Sequence, residues 1–297
     1  CCLSSVNLEE YDEWKDNNQF IPDLVRMLDN VLTHFIENAP DALYRAKLSA
    51  HRERSIGLGA MGFHAYLQRH NIPFESVLAK GANNRMFTRI KEEAVRATRQ
   101  LATERGECPD GEGYGVRNAH LLSVAPNASS SIICGNTSPS IEPYRANAFT
   151  QKTKSGSSLL KNEYLQHALQ EIGMDTEEVW KSVITNSGSV QQLEFLDEYT
   201  KDVFKTAVEI DQKWIIEMAG DRQQHICQSQ SLNVFFPADV SKQELHAIHM
   251  MAWKQKVKTL YYLRSEAIKR AETVSDEALR QYMFDSIDEG ACLACEG

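Results

Sequence analysis

Leu24, Met27, Leu28, Val31, Leu32 and Phe35 fall on one face of a 3.6-residue repeat. That spacing predicts a helix over 22–38. Pro22 and Asp23 supply its first turn, where a proline loses no needed N–H and an acid meets the helix dipole. A second helix is predicted over 57–69 and a third over 84–104. The third carries Phe87, Ile90, Ala94, Ala97 and Leu101 on one side, and Gly106 and Pro109 close it. The stretch 106–118 is rich in Gly, Asp and Glu and predicts a surface loop. A strand over 119–125 follows. Further helices are predicted over 159–173, 177–185 and 198–219, the last with Val203, Ala207, Ile210, Trp214 and Met218 along one face. Strands over 231–236 and 258–263 flank a helix over 242–254. This β, α, β order favours an α/β fold over a helix bundle. Beyond 270 the apolar pattern weakens and Asp285, Asp288 and Glu289 accumulate. That composition predicts a partly helical, mobile tail, dividing the chain into 1–270 and 271–297. The sequence holds no internal repeat.

Composition narrows the classes. With 297 residues, 42% hydrophobic and 25% charged, the chain has the balance of a globular protein with one large domain or two small ones. No run approaches the roughly 18 apolar residues of a membrane span, and no secretory signal opens the chain. A formal net charge of −9 argues against a nonspecific nucleic-acid binder, which is normally basic. Seven scattered cysteines form no disulfide scaffold and point to a reducing cytoplasm. The first residue is Cys1 rather than Met, which suggests part of a longer coding sequence. A residue left behind an excised intein is the alternative.

Three places could carry chemistry. Cys292 and Cys295 form a C-x-x-C pair at the end of the sequence. A structural zinc needs about four Cys or His ligands, and no second close pair lies nearby. A thioredoxin-like dithiol sits at a helix N-terminus, for which no residues remain. A dithiol on an arm, carrying electrons between places, is what is left. Cys108, Cys134 and Cys227 have no partner at motif spacing and read as structural. The nine histidines show no metal-binding spacing, so no metal site is predicted.

Pro126, Asn127, Ala128, Ser129, Ser130 and Ser131 follow an apolar strand and precede Ile132-Ile133. Exposed main-chain N–H groups with several hydroxyls make an anion pocket there, suited to a diphosphate. Plain helix capping by Asn and Ser is the competing reading. Tyr261 and Tyr262 are adjacent in an apolar run. Such tyrosines commonly pack in strands, but neighbouring phenols can also relay an electron and a proton. Successive side chains of a regular strand point to opposite faces. The two rings can therefore stack only where the strand bends or ends.

Together these segments resemble the catalytic, large subunit of class I ribonucleotide reductase, from Cys1 to Gly297. The densest parts are Cys1-Cys2-Leu3-Ser4-Ser5-Val6-Asn7-Leu8, Arg54-Ser55-Ile56-Gly57-Leu58-Gly59, residues 126–143, Gln228-Ser229-Gln230-Ser231-Leu232-Asn233, and Thr259-Leu260-Tyr261-Tyr262. The resemblance implies the second half of a ten-stranded α/β barrel with a flexible C-terminal redox tail. It implies reduction of ribonucleoside diphosphates at the 2′ carbon, with substrate phosphates at 126–131. The family often carries other side chains at Asn127 and Ala128, so the backbone and serines are the firmer assignment. Cys1 matches the barrel cysteine oxidised to a disulfide during turnover, and Cys2 is given no role. Tyr262 and then Tyr261 match the relay that brings a radical in from a metal-containing small (beta) subunit. Cys292 and Cys295 match the tail dithiol that re-reduces the barrel disulfide and is reloaded by thioredoxin or glutaredoxin.

The family's Asn-x-Cys-x-Glu loop, whose Cys becomes the thiyl radical, is missing from this sequence. So are the disulfide partner of Cys1 and the segments that bind nucleotide effectors. No cofactor is expected on these residues. The N-terminal half of the large subunit is an expected partner, and a homodimer of the complete subunit is expected with it. Half a barrel leaves open strand edges, so the chain is expected to be unstable or inactive alone. Two alternatives are an adenosylcobalamin-dependent reductase, which needs no tyrosine relay, and a noncatalytic module docking the small subunit or a redoxin.

Overall fold

The computed structural model describes residues 2–153 and 156–265. Strands β1 (Cys2–Asn7) and β2 (Ile56–Met61) pair in parallel, with Ser5 opposite Gly59. Between them run the short α1 (Tyr11–Trp14), then α2 (Phe20–Asn38) and α3 (Tyr44–Glu53). Helices α4 (Phe63–Arg69) and α5 (Val77–Arg105) lead from β2 to an extended segment. In that segment Leu122 bridges Leu58 and Val124 bridges Gln230, both in parallel. The chain continues through α6 (Ala128–Ile133), the hairpin of β3 (Ala148–Thr153) and β4 (Gly156–Lys161), α7 (Glu163–Glu171), α8 (Glu177–Thr185), α9 (Glu198–Val203) and α10 (Gln212–Gln223). Strand β5 (Val234–Phe236), α11 (Lys242–Lys254) and β6 (Leu263–Ser265) follow, with β5 and β6 parallel.

Main-chain hydrogen bonds stitch these pieces into one layer. Leu58 N donates to Leu121 O at 2.8 Å and Ser231 N to Val124 O at 2.8 Å. Tyr261 N donates to Leu232 O at 2.8 Å and Val234 N to Tyr262 O at 3.0 Å. Among the described residues this gives five parallel staves in the order β1, β2, 121–124, 229–236 and 261–265. Helices cover the layer, as parallel strands require.

Helix α2 forms over the predicted residues, but its buried face is Ile21, Val25, Leu28 and Leu32, while Met27 and Val31 of the predicted face are exposed. Helices α8 and α11 have the predicted bounds, each opened by a hydroxyl cap: Thr176 accepts Val179 N–H and Ser241 accepts Glu244 N–H. The predicted helix over 57–69 is wrong over its first five residues, which belong to β2. All six residues of β2 are buried, so the strand shows no polar alternation to betray it. Gly59 marks the tight approach, because a Cβ there would lie 2.4 Å from Ser123 O.

Three further expectations need correcting. The helix over 198–219 is two helices, α9 and α10, with Asp211 capping Lys213 N–H at 2.9 Å to start the second. Residues 159–161 begin no helix, since they pair in β4. The strand over 119–125 is reduced to isolated bridges at Leu122 and Val124.

The main core lies between staves and helices and includes Ile56, Leu58, Phe63, Phe87 and Phe236. A second core, around Leu165, Leu169, Trp180, Val183 and Phe204, belongs to the excursion between the third and fourth staves.

Candidate functional site

The segment 126–131 leaves the third stave and turns into α6. Asn127 stands in the left-handed region at φ 55°, one of the few places a non-glycine residue tolerates it through a short polar side chain. Its side chain makes no capping bond to α6. Instead Nδ2 donates to Ser5 Oγ at 2.9 Å, to Ala125 O at 3.2 Å and to Ala60 O at 3.3 Å. The capping reading therefore fails for Asn127, which fastens the turn to β1 and β2. Ser131 is buried and donates its hydroxyl to Ala128 O at 3.0 Å, so that hydroxyl is spent within the helix. Ser129 and Ser130 are exposed. The first-turn amides of any α-helix lack intrahelical acceptors, and here they open beside those two hydroxyls.

The turn has a firm floor. Gly62, at φ 81°, sits so close to the neighbouring segments that a Cβ would lie 2.2 Å from Asn7 Oδ1 and 2.7 Å from Thr137 Oγ1. Buried Ser138 accepts Ala65 N–H at 3.1 Å through its hydroxyl. His64 is fully buried and accepts Tyr144 N–H on Nδ1 at 2.9 Å. Burial lowers its pKa to about 3, which keeps that nitrogen an acceptor.

The tyrosine pair lies at the end of the fifth stave. The strand predicted over 258–263 is displaced: main-chain bonds to the fourth stave begin at Tyr261, and β6 itself runs over Leu263–Ser265. Tyr261 and Tyr262 precede it, and their rings meet at a centroid distance of 4.3 Å with 54° between planes. Ahead of the ladder, two consecutive side chains therefore meet that a regular strand would point to opposite faces. Arg264 places its guanidinium 5.1 Å from the Tyr262 ring centroid, within cation–π range. Tyr261 is 42% exposed, so the pair opens to the surface.

Glu142 was given no role by sequence reasoning, although it stands between Ile141 and Pro143 in the stretch that carries the resemblance. It is 5% exposed and accepts Asn233 N–H at 3.1 Å. Burial raises its carboxyl to about 7, against the lowering effect of Asn233, Arg264 and Arg145. A lone acid among apolar residues was the available signal.

Cys1, Cys292 and Cys295 lie outside the described residues. Cys227 accepts the N–H groups of Leu121 and Leu122 at 3.2 and 3.3 Å, and Cys108 is fully buried. Both positions fit packing roles. Cys134 is exposed and has no such packing role. Among the described residues no group of three or more His, Cys, Asp or Glu could hold a metal ion. Among them, too, no helix is long and apolar enough to cross a membrane.

Parallel staves with helical cover, a polar turn at the end of one stave and a pair of touching phenol rings at the end of another describe part of an α/β barrel. The family model for the ribonucleotide reductase barrel domain matches residues 1–113 and 109–263. The chain belongs to that family. The ribonucleoside-diphosphate reductase large subunit of Invertebrate iridescent virus 6 is 52% identical over 292 residues, covering 97% of this chain and 30% of that protein. The corresponding subunit of Invertebrate iridescent virus 3 is 45% identical over 300 residues, covering 100% of this chain and 47% of its own. The solved Actinobacillus ureae class Id ribonucleotide reductase alpha subunit superposes with a TM-score of 0.84 at 41% identity, covering 90% of this chain and 50% of that one. The chain spans half or less of each of these relatives.

Proposed function

We propose that this chain is the C-terminal part of the catalytic barrel of a class I ribonucleotide reductase, acting on ribonucleoside diphosphates in the cytoplasm. The observation that carries the reading is the 4.3 Å contact between the Tyr261 and Tyr262 rings just before β6. Strand packing alone gives no reason for two consecutive rings to meet. An oxidised Tyr262 would take an electron and a proton from Tyr261, which would pass the vacancy inward. The radical would come from a metal-containing small subunit.

The diphosphate would lie against Ala128, Ser129 and Ser130, on the first-turn amides of α6 and the two exposed hydroxyls. Pro126 and Asn127 would shape that turn and Ser131 would support it from below. Replacing the 2′-hydroxyl by hydrogen consumes two electrons and two protons and releases water. A dithiol containing Cys1 would supply them and become a disulfide. Cys292 and Cys295, on the tail 271–297, would return the electrons by thiol–disulfide exchange. Thioredoxin or glutaredoxin would then reduce the tail. The other cysteine of the barrel disulfide and the effector sites would belong to the N-terminal half of the subunit, which would complete the barrel domain begun at 1–270 and form the homodimer.

The test uses the complete large subunit with its small subunit. Tyr262→Phe and Tyr261→Phe should each reduce deoxynucleotide formation to background, since phenylalanine keeps the packing and loses the oxidisable phenol. Full turnover in either variant would overturn the reading and favour an adenosylcobalamin-dependent enzyme.

A further inference from the structure

Tyr262 and Arg264 are carried on backbone that the fourth stave holds at several points. Val234 N donates to Tyr262 O at 3.0 Å, and Asn233 Oδ1 accepts Tyr262 N–H at 2.9 Å. Two residues on, Arg264 stands opposite Phe235 in the β5–β6 pair. Exposure alternates along this run, with Tyr261, Leu263 and Ser265 exposed and Tyr262 and Arg264 half-buried. The period of two therefore puts the Arg264 side chain on the side of Tyr262. Its guanidinium carbon lies 5.1 Å from the centroid of that ring, and among the described residues it meets that ring alone.

A cation on an aromatic face is held by the negative face of the ring quadrupole. Oxidising the phenol removes one electron from the π system and one proton from the oxygen, so the ring left behind attracts the cation less. The contact thus stabilises the reduced phenol over the phenoxyl radical at 262, and the Tyr261 ring does not share it.

We propose that Arg264 directs the relay inward: its guanidinium on the Tyr262 ring disfavours a radical there and sends it on to Tyr261. The inference rests on the relay reading. The radical of the small subunit takes one electron and one proton from Tyr262. Tyr262 then recovers one electron and one proton from Tyr261, whose ring lies 4.3 Å away, so the radical moves and nothing else is gained or lost.

An amino-substituted tyrosine at 262, easier to oxidise than tyrosine, holds the radical there long enough to be counted by electron paramagnetic resonance. The complete large subunit carrying it is mixed with its small subunit and nucleotide. The quantity read is the ratio of radical at 262 to radical left on the small subunit. Arg264→Met keeps an apolar stem against the ring and loses the charge. It should raise the ratio about three- to fivefold, the scale of a cation–π contact near the surface. Arg264→Lys keeps the charge and loses the planar fork, and should stay within about 1.5-fold of the parent. A role in packing alone would not give that order. An unchanged or lower ratio in Arg264→Met, or an equal rise in Arg264→Lys, would overturn the proposal and leave the relay standing. Absence of radical at 262 in all three proteins would remove the relay, and this inference with it.

Discussion

Asn127 Nδ2 reaches Ser5 Oγ at 2.9 Å across 122 positions of sequence. This bond fixes the turn before α6 to the first stave, so the shape of the proposed phosphate site depends on a strand far from it in sequence. Asn127→Ala removes the bond and puts alanine at φ 55°. It should cost about 2 kcal/mol in thermal unfolding of the complete subunit and raise KM for nucleotide more than it lowers kcat. Asn127→Gly relieves the backbone and should recover part of the stability but not the KM.

Two glycines separate strain from crowding. Gly62 and Gly173 both have positive φ, at 81° and 70°. A Cβ at Gly62 meets Asn7 and Thr137, whereas one at Gly173 has nothing within 4 Å. Gly62→Ala should therefore destabilise by about 3 kcal/mol, and Gly173→Ala by about 1 kcal/mol. Unfolding temperatures of the two variants measure the difference.

Asp29 is a buried carboxylate gathered by arginines. Arg54 Nε lies 2.7 Å from it and Arg105 2.9 Å, with Arg117 at 3.5 Å. Burial would raise the carboxyl, but the hydrogen bond and charge of Arg54, with Arg117 and Arg105, hold it below the ordinary range. Asp29→Asn leaves these cations without their counter-charge and should cost about 3–5 kcal/mol in denaturant unfolding.

His64 and Glu142 give opposite pH dependences. Folded His64 holds its proton only below about pH 3, against 6.5 ordinarily. Between those values the folded state binds fewer protons, so stability is lost as pH falls from 6.5. Folded Glu142 keeps its proton up to about pH 7, against 4.5 ordinarily. Between those values the folded state binds more protons, so its contribution is lost as pH rises towards 7. From about pH 5 to about pH 6.5, the advantage of the parent over His64→Gln should grow with pH, and its advantage over Glu142→Gln should shrink. Each slope is limited to about 1.4 kcal/mol per pH unit. Unfolding across this range checks both signs.

The tail assignment has its own readout. Cys292→Ser and Cys295→Ser should abolish turnover driven by thioredoxin or glutaredoxin in the complete enzyme. A small dithiol that reaches the barrel directly should sustain it. Loss with both reductants would argue against a shuttle.

Much of the helical layer could be read from the chain, because its signals are local. Helices α8 and α11 declare themselves through Thr176, Ser241 and the apolar faces that follow. Staves were harder. β2 is buried along its whole length, so Ile56 to Met61 offers no alternation, and Gly59 answers to Ser123 O on another segment. The break between α9 and α10 was hidden because Ala207 and Ile210 are buried whether or not they are helical. At the site, the hydroxyl-rich turn and the paired tyrosines stood out as residue types. Their geometry depended on partners far away: Ser5 for Asn127, and Asn233 for Tyr262. Glu142 escaped notice because one acid has no periodicity, and only its burial marks it out.

The excursion between the third and fourth staves keeps a core of its own around Trp180, apart from the one that contains Trp14. A segment with a private core can melt and reform while the staves stay zipped. The two tryptophans therefore sit in units that need not lose their structure together. A single melting temperature for this chain would average two events, one at Trp180 and one at Trp14.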